Sequence, residues 1–272
     1  MPIIILISLI IIALLIWQGI KWQHKQLRKK LKAAPFNPAW ALILQKNITL
    51  YNKLPDNLKH RLHGLINVFL HEKTFSGYNG LQINDEIRVT IASQACILLL
   101  NRDGDYYPFL KNILVYPGAF KSTQVESNGM VKTIKETARI GESWQLGHVV
   151  LSWQHSKMGA MDEGDGQNVV YHEFAHQLDQ EDNAIDGTPI LDSAENYKDW
   201  VKVFSKEYIR LREQVDAGKK TLIDAYGAES EGEFFAVVTE LFFEKPHLLE
   251  AKHPNLYKEL RKFYRINPLE WF

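Results

Sequence analysis

Apolar residues recur along the chain in three patterns, and each pattern predicts a different kind of element. Residues 3–20 form one charge-free run, Ile-Ile-Ile-Leu-Ile-Ser-Leu-Ile-Ile-Ile-Ala-Leu-Leu-Ile-Trp-Gln-Gly-Ile. Further along, apolar positions return every three to four residues, the spacing of one helix face. Asp56–Leu70 places Leu58, Leu62, Leu65, Ile66 and Phe69 on one side. Similar spacing predicts helices over 85–100, 168–180, 194–216, 230–244 and 255–265. Short β-branched runs at Asn112–Tyr116 and Gly147–Trp153 predict strands, and the alternation within 121–146 predicts more β structure. Between them, Asn101-Arg-Asp-Gly-Asp-Tyr-Tyr-Pro108 is a turn-rich loop. The expected fold class is α+β, a small mixed sheet beside a helical bundle.

The first run changes this picture most. As a helix, residues 3–20 would span about 27 Å, close to the roughly 30 Å of a bilayer core. Trp17 and Trp22 suit a membrane interface. A cleaved signal peptide has basic residues before its apolar core, whereas here Lys21, Lys25, Arg28, Lys29, Lys30 and Lys32 follow it. The expected organisation is a transmembrane anchor over 1–20, a basic juxtamembrane linker over 21–38 and one folded domain over 39–272. The positive-inside rule would put that domain in the cytoplasm. Net charge is zero, which gives no reason to expect direct nucleic-acid binding. Cys96 is the single cysteine, so no internal disulfide can form, and its apolar surroundings read as core.

Candidate chemistry concentrates at His172-Glu-Phe-Ala-His176. Residues four apart share a helix face, so His172 and His176 can offer two imidazoles to one metal ion. Glu173 is turned away from that face and can take a proton from a water at the metal. Hydrolytic zinc sites use three protein ligands, and several downstream residues compete for the third place. Asp182 lies six residues after His176, but the glycine that such a turn requires is replaced by Asp179. His247 and His253 flank prolines in an expected loop. Glu233 opens the apolar segment Phe234–Phe243, with Glu240 two helical turns later. Carboxylates on a buried helix are rare unless paired or metal-bound. Glu233 therefore fits a ligand, and Glu240 fits a partner for a histidine ring nitrogen. Asp179, on the His172 face, fits the same supporting role or a helix cap.

Taken together, His172-Glu173-x-x-His176-x-x-Asp179, Asp224-Ala-Tyr-Gly-Ala-Glu and Glu233-Phe-Phe-Ala-Val resemble the Mlc titration factor A family of bacterial zinc peptidases. The layout is more distantly similar to the catalytic domain of anthrax lethal factor. The resemblance covers about residues 40–270. It implies a zincin-like metallopeptidase domain holding one Zn2+ through His172, His176 and Glu233. It also implies Glu173 as general base and Tyr226, seven residues before Glu233, as an oxyanion donor. The expected function is hydrolysis of peptide or protein substrates, with aminopeptidase-type activity associated with the family. With the anchor, the expected location is the inner membrane of a bacterium, the membrane itself being a partner. The alternative is a regulatory protein that binds and sequesters a transcriptional repressor. The strand at His148–Trp153 is the expected edge for an extended substrate.

Overall fold

Side-chain caps and prolines set where the helices of this protein begin. The computed structural model describes the backbone of residues 2–102, 106–128, 131–139, 141–144 and 147–271, with side chains outside 2–5, 8, 120–128, 131–139 and 141–144. Helix α1 (Pro2–Ala33) is followed by α2 (Pro38–Asn47), α3 (Thr49–Lys53) and α4 (Asp56–Glu72). Asn37 caps α2 by accepting from Ala39 N at 2.9 Å, with Pro38 at the first helical position. Strand β1 (Thr74–Gly77) leads to α5 (Asp85–Ile97), capped by Asn84. Strand β2 (Asn112–Tyr116) precedes the antiparallel hairpin of β3 (Phe120–Asn128) and β4 (Val131–Arg139). Then come β5 (Gly141–Trp144), β6 (His148–Ser152) and α6 (Trp153–Met161). The chain closes with α7 (Val169–Asp179), α8 (Ala194–Asp216), α9 (Glu231–Glu244), α10 (Pro246–Lys252) and α11 (Pro254–Tyr264).

The balance is mostly helical, which corrects the α+β expectation. Segments without a strong apolar period turn out helical because local caps start them. Trp153, expected to end a strand, opens α6 because the Ser152 hydroxyl accepts from His155 N. The four-stranded sheet has the order β1-β2-β6-β5, with β1, β2 and β6 parallel and β5 antiparallel. Strand β6 is thus paired on both sides. It offers no free edge, and the expectation that it receives a substrate strand is wrong.

The anchor expectation is also corrected. Among the described residues no helix is long and apolar enough to cross a membrane. The basic segment expected as a linker continues α1 and packs on α4. Arg28 donates to both carboxylate oxygens of Glu72, at 2.6 and 3.0 Å, and lies over the Tyr106 ring. The membrane partner and single-pass inner-membrane location expected from residues 1–20 therefore lose their basis.

One apolar core joins the layers. Phe174 of α7 is fully buried between Tyr107 and Phe69, at ring-centroid distances of 4.9 and 5.8 Å. Trp200 of α8 stacks on Phe204 at 3.8 Å and meets Phe235 of α9 edge-on. Helix α7 is packed between the sheet and α9, so residues on its α9 side face the carboxylates of that helix.

Candidate metal centre

Asn168 starts the motif helix. Its side-chain oxygen accepts from Val170 N and Tyr171 N at 3.1 and 3.0 Å. Its amide group donates to Gly159 O at 3.1 Å, which ties α7 to α6. Its backbone N–H donates to Glu240 Oε2. The same Glu240 therefore holds the start of α7 and, through Oε1, accepts from His172 Nδ1 at 2.8 Å. That bond fixes the His172 ring and leaves Nε2 facing the interior of the site.

Ser230 caps α9 by accepting from Glu233 N at 3.2 Å. In a capping box the Glu233 carboxylate would turn back to the Ser230 backbone. Here it reaches forward instead, with Oε2 at 2.9 Å from His172 Nε2 and 3.2 Å from His176 Nε2. The two Nε2 atoms are 3.3 Å apart. A tetrahedral zinc with ligands at about 2.0–2.1 Å has ligand atoms about 3.3 Å from one another. The three atoms stand at nearly that spacing. Among the described residues, His172, His176 and Glu233 are the group that could hold a metal ion.

The electrostatics of the site depend on these contacts. Burial lowers the His172 pKa, but the Glu233 and Glu240 carboxylates outweigh it and hold the imidazolium well above its ordinary range. Burial raises Glu233, yet the two imidazoles hold it far below the usual carboxylate range. Without a metal, the proton held on His172 answers the Glu233 and Glu240 carboxylates. A cation would take its place.

Glu173 is buried at 5 % exposure on the flank of the same helix. Tyr226 sits in a 3-10 turn capped by Asp224, which accepts from Tyr226 N at 2.9 Å. Its ring centroid is 5.8 Å from that of His172, and the side chain is 42 % exposed. The other sequence candidates lie elsewhere. Asp182 belongs to the 3-10 turn after α7 and accepts from Ala184 N. His253 pairs with Glu207 at 2.8 Å, and His247 is exposed.

Asp179 is fully buried, and Oδ2 accepts from Gly187 N at 3.0 Å. Its Oδ1 and the Nδ1 of His176, one turn earlier, are both buried without a hydrogen bond. Burial raises the Asp179 carboxyl to about 6. Gly187 has φ +72°, and a Cβ there would run into the Glu231 carbonyl oxygen. This close approach seats the 183–193 loop against the start of α9, a brace that periodicity did not reveal. A buried glutamate one turn beyond Glu240 was missed as well. Both oxygens of Glu244 are buried without a hydrogen bond.

Comparison with known proteins follows this arrangement. The chain is 42 % identical over 250 residues to an uncharacterised protein of Synechocystis sp., covering 91 % of this chain and 90 % of that one. It is 31 % identical over 230 residues to Mlc titration factor A of Pectobacterium atrosepticum, covering 82 % and 84 % of the two chains. Mlc titration factor A of Escherichia coli O7:K1 is 28 % identical over 231 residues, covering 82 % and 85 %. The description "glucose-regulated metallo-peptidase M90" matches residues 20–265, nearly the whole chain, and this protein belongs to that family.

Proposed function

We propose that the protein is a zinc-dependent peptidase that hydrolyses peptide bonds at the His172–His176–Glu233 centre. The observation that carries this reading is the convergence of two imidazole nitrogens and one carboxylate oxygen within 3.3 Å of one another. Metallopeptidase family membership supports it. A zinc ion held there would supply Lewis-acid polarisation of the scissile carbonyl and make a water acidic enough to ionise near neutral pH.

The residues around it divide the remaining work. Glu240 keeps the Nδ1 proton of His172, so the Nε2 lone pair would be available to hold the zinc. The Glu173 carboxylate takes the proton of the attacking water and then gives it to the leaving amine nitrogen. The Tyr226 hydroxyl donates to the developing oxyanion, and its exposure leaves room for it to reach a bound substrate.

Glu173→Gln tests this division. Cleavage of fluorogenic peptides should fall by about 10²–10⁴-fold, with zinc content unchanged. Equal activity in variant and wild type would remove Glu173 from the mechanism. A second reading is regulatory. Relatives bear the name Mlc titration factor A, which supports binding of a repressor such as Mlc by this chain. A pull-down with purified Mlc, run with the Glu173→Gln protein, separates this reading from hydrolysis.

A further inference from the structure

A cavity lies away from the metal centre and shares no lining residue with it. It encloses about 360 Å³ between the loop after α7, α8 and α11. That volume falls within the range of small-molecule sites. Its walls are fixed by specific bonds. Leu191 N donates to Tyr197 Oη at 3.0 Å, Trp200 Nε1 donates to Gly187 O at 3.0 Å, and Arg265 pairs with Asp192 at 2.8 Å.

Three cations line it, and they differ in what they already hold. Lys262 contacts Glu259 at 2.9 Å and Asp199 at 3.3 Å, and Arg265 is bound to Asp192. Arg102 is different. Its side chain is only 14 % exposed, and its nearest ion-pair contact, Glu181, is 3.8 Å away, beyond hydrogen-bonding distance. Glu181 also has another partner. The guanidinium lies over the Phe263 ring at 3.9 Å, which uses its face and leaves its in-plane donors. A largely buried cation whose in-plane donors make no hydrogen bond among the described residues is costly beside an apolar wall unless something completes it. Ile190, Leu191 and Phe263 supply that wall.

We propose that this cavity binds a small carboxylate ligand, its carboxylate on the Arg102 guanidinium and its apolar body against Ile190, Leu191 and Phe263. A planar guanidinium matches a carboxylate with two parallel bonds, which a point charge such as lysine does not.

The test is calorimetric titration of the full-length protein with phenylacetate and, as its uncharged counterpart, phenylacetamide. Phenylacetate should bind saturably below about 10 mM, a fair ceiling for a ligand of this size. The amide should bind at least tenfold more weakly. Arg102→Met should weaken phenylacetate by at least tenfold. Because Arg102 is largely enclosed, Ile190→Glu provides a second variant at a 45 % exposed position, where the new charge should repel the ligand to the same degree. Glu233→Ala, which alters the metal centre, should leave the affinity unchanged. No saturable binding, equal binding of the amide, or full affinity in either cavity variant would overturn the proposal. Loss of binding in Glu233→Ala would overturn it too, by placing the carboxylate on the metal.

Discussion

Glu244 carries an unusual charge state, and replacing it with glutamine turns that into a measurable change in stability. The residue is 4 % exposed on α9, and among the described residues neither carboxyl oxygen makes a hydrogen bond of full geometry. Burial, opposed by the Asn168 side chain and helped by the Glu240 and Asp165 carboxylates, raises its pKa from 4.5 to about 9. The folded protein therefore keeps this proton between pH 4.5 and 9, whereas the unfolded chain releases it. Stability is fully present below pH 4.5 and falls as pH rises towards 9. Each pH unit in that window costs about 1.4 kcal/mol, so at pH 7 the loss is about 3 kcal/mol. Glutamine keeps the shape and cannot ionise. Glu244→Gln should match wild type near pH 4.5 and be about 3 kcal/mol more stable at pH 7, a rise in Tm on the order of 6–10 °C for a chain of this size. Thermal unfolding by circular dichroism at pH 5, 6, 7 and 8 should show the gap widening with pH. Parallel curves, or a variant less stable at every pH, would refute the neutral buried acid.

Three other substitutions follow from contacts around the site. Glu240→Gln replaces the carboxylate that holds His172 Nδ1, and zinc affinity measured by competition with a chelator should fall about 10–100-fold. Gly187→Ala adds a Cβ at φ +72° against the Glu231 carbonyl, and denaturant unfolding should show a loss of at least about 1–2 kcal/mol. Phe174→Ala empties the space between Phe69 and Tyr107 behind the metal helix, and the same assay should show a loss of about 3–5 kcal/mol.

The parts of the site that could be read from the chain are those whose geometry is local. His172 and His176 share a face because they lie four apart on one helix, and Glu233 and Glu240 share one because they lie seven apart on another. Their mutual approach needed the packing of α7 on α9. That packing was foreshadowed only by two carboxylates in an apolar segment. Helix spans were largely legible from 3.6-residue spacing, and 194–216 coincides with α8. Strand order was not legible, because hydrogen-bond pairing is non-local and β6 has the same apolar run whether central or at an edge. The membrane anchor was misjudged because an apolar run followed by basic residues reads the same whether those residues flank a bilayer or a folded body. Arg28, taken as a membrane-flanking charge, meets Glu72 and the Tyr106 ring on the folded body, and Lys32 lies over the same ring. Asp179 could be singled out because it shares the His172 face, but its acceptance from Gly187 N could not, since that bond depends on how the following loop folds back, and no spacing rule points to the buried Glu244.

Metal content tests the central claim most directly. Full-length wild type and Glu233→Ala, purified without added metal, would be analysed by mass spectrometry of the elements, with circular dichroism to confirm folding. The account predicts about one zinc per wild-type chain, lost or greatly weakened in the variant. Folded wild type without zinc, or a variant that retains it in full, would contradict the assignment of His172, His176 and Glu233 as the metal centre.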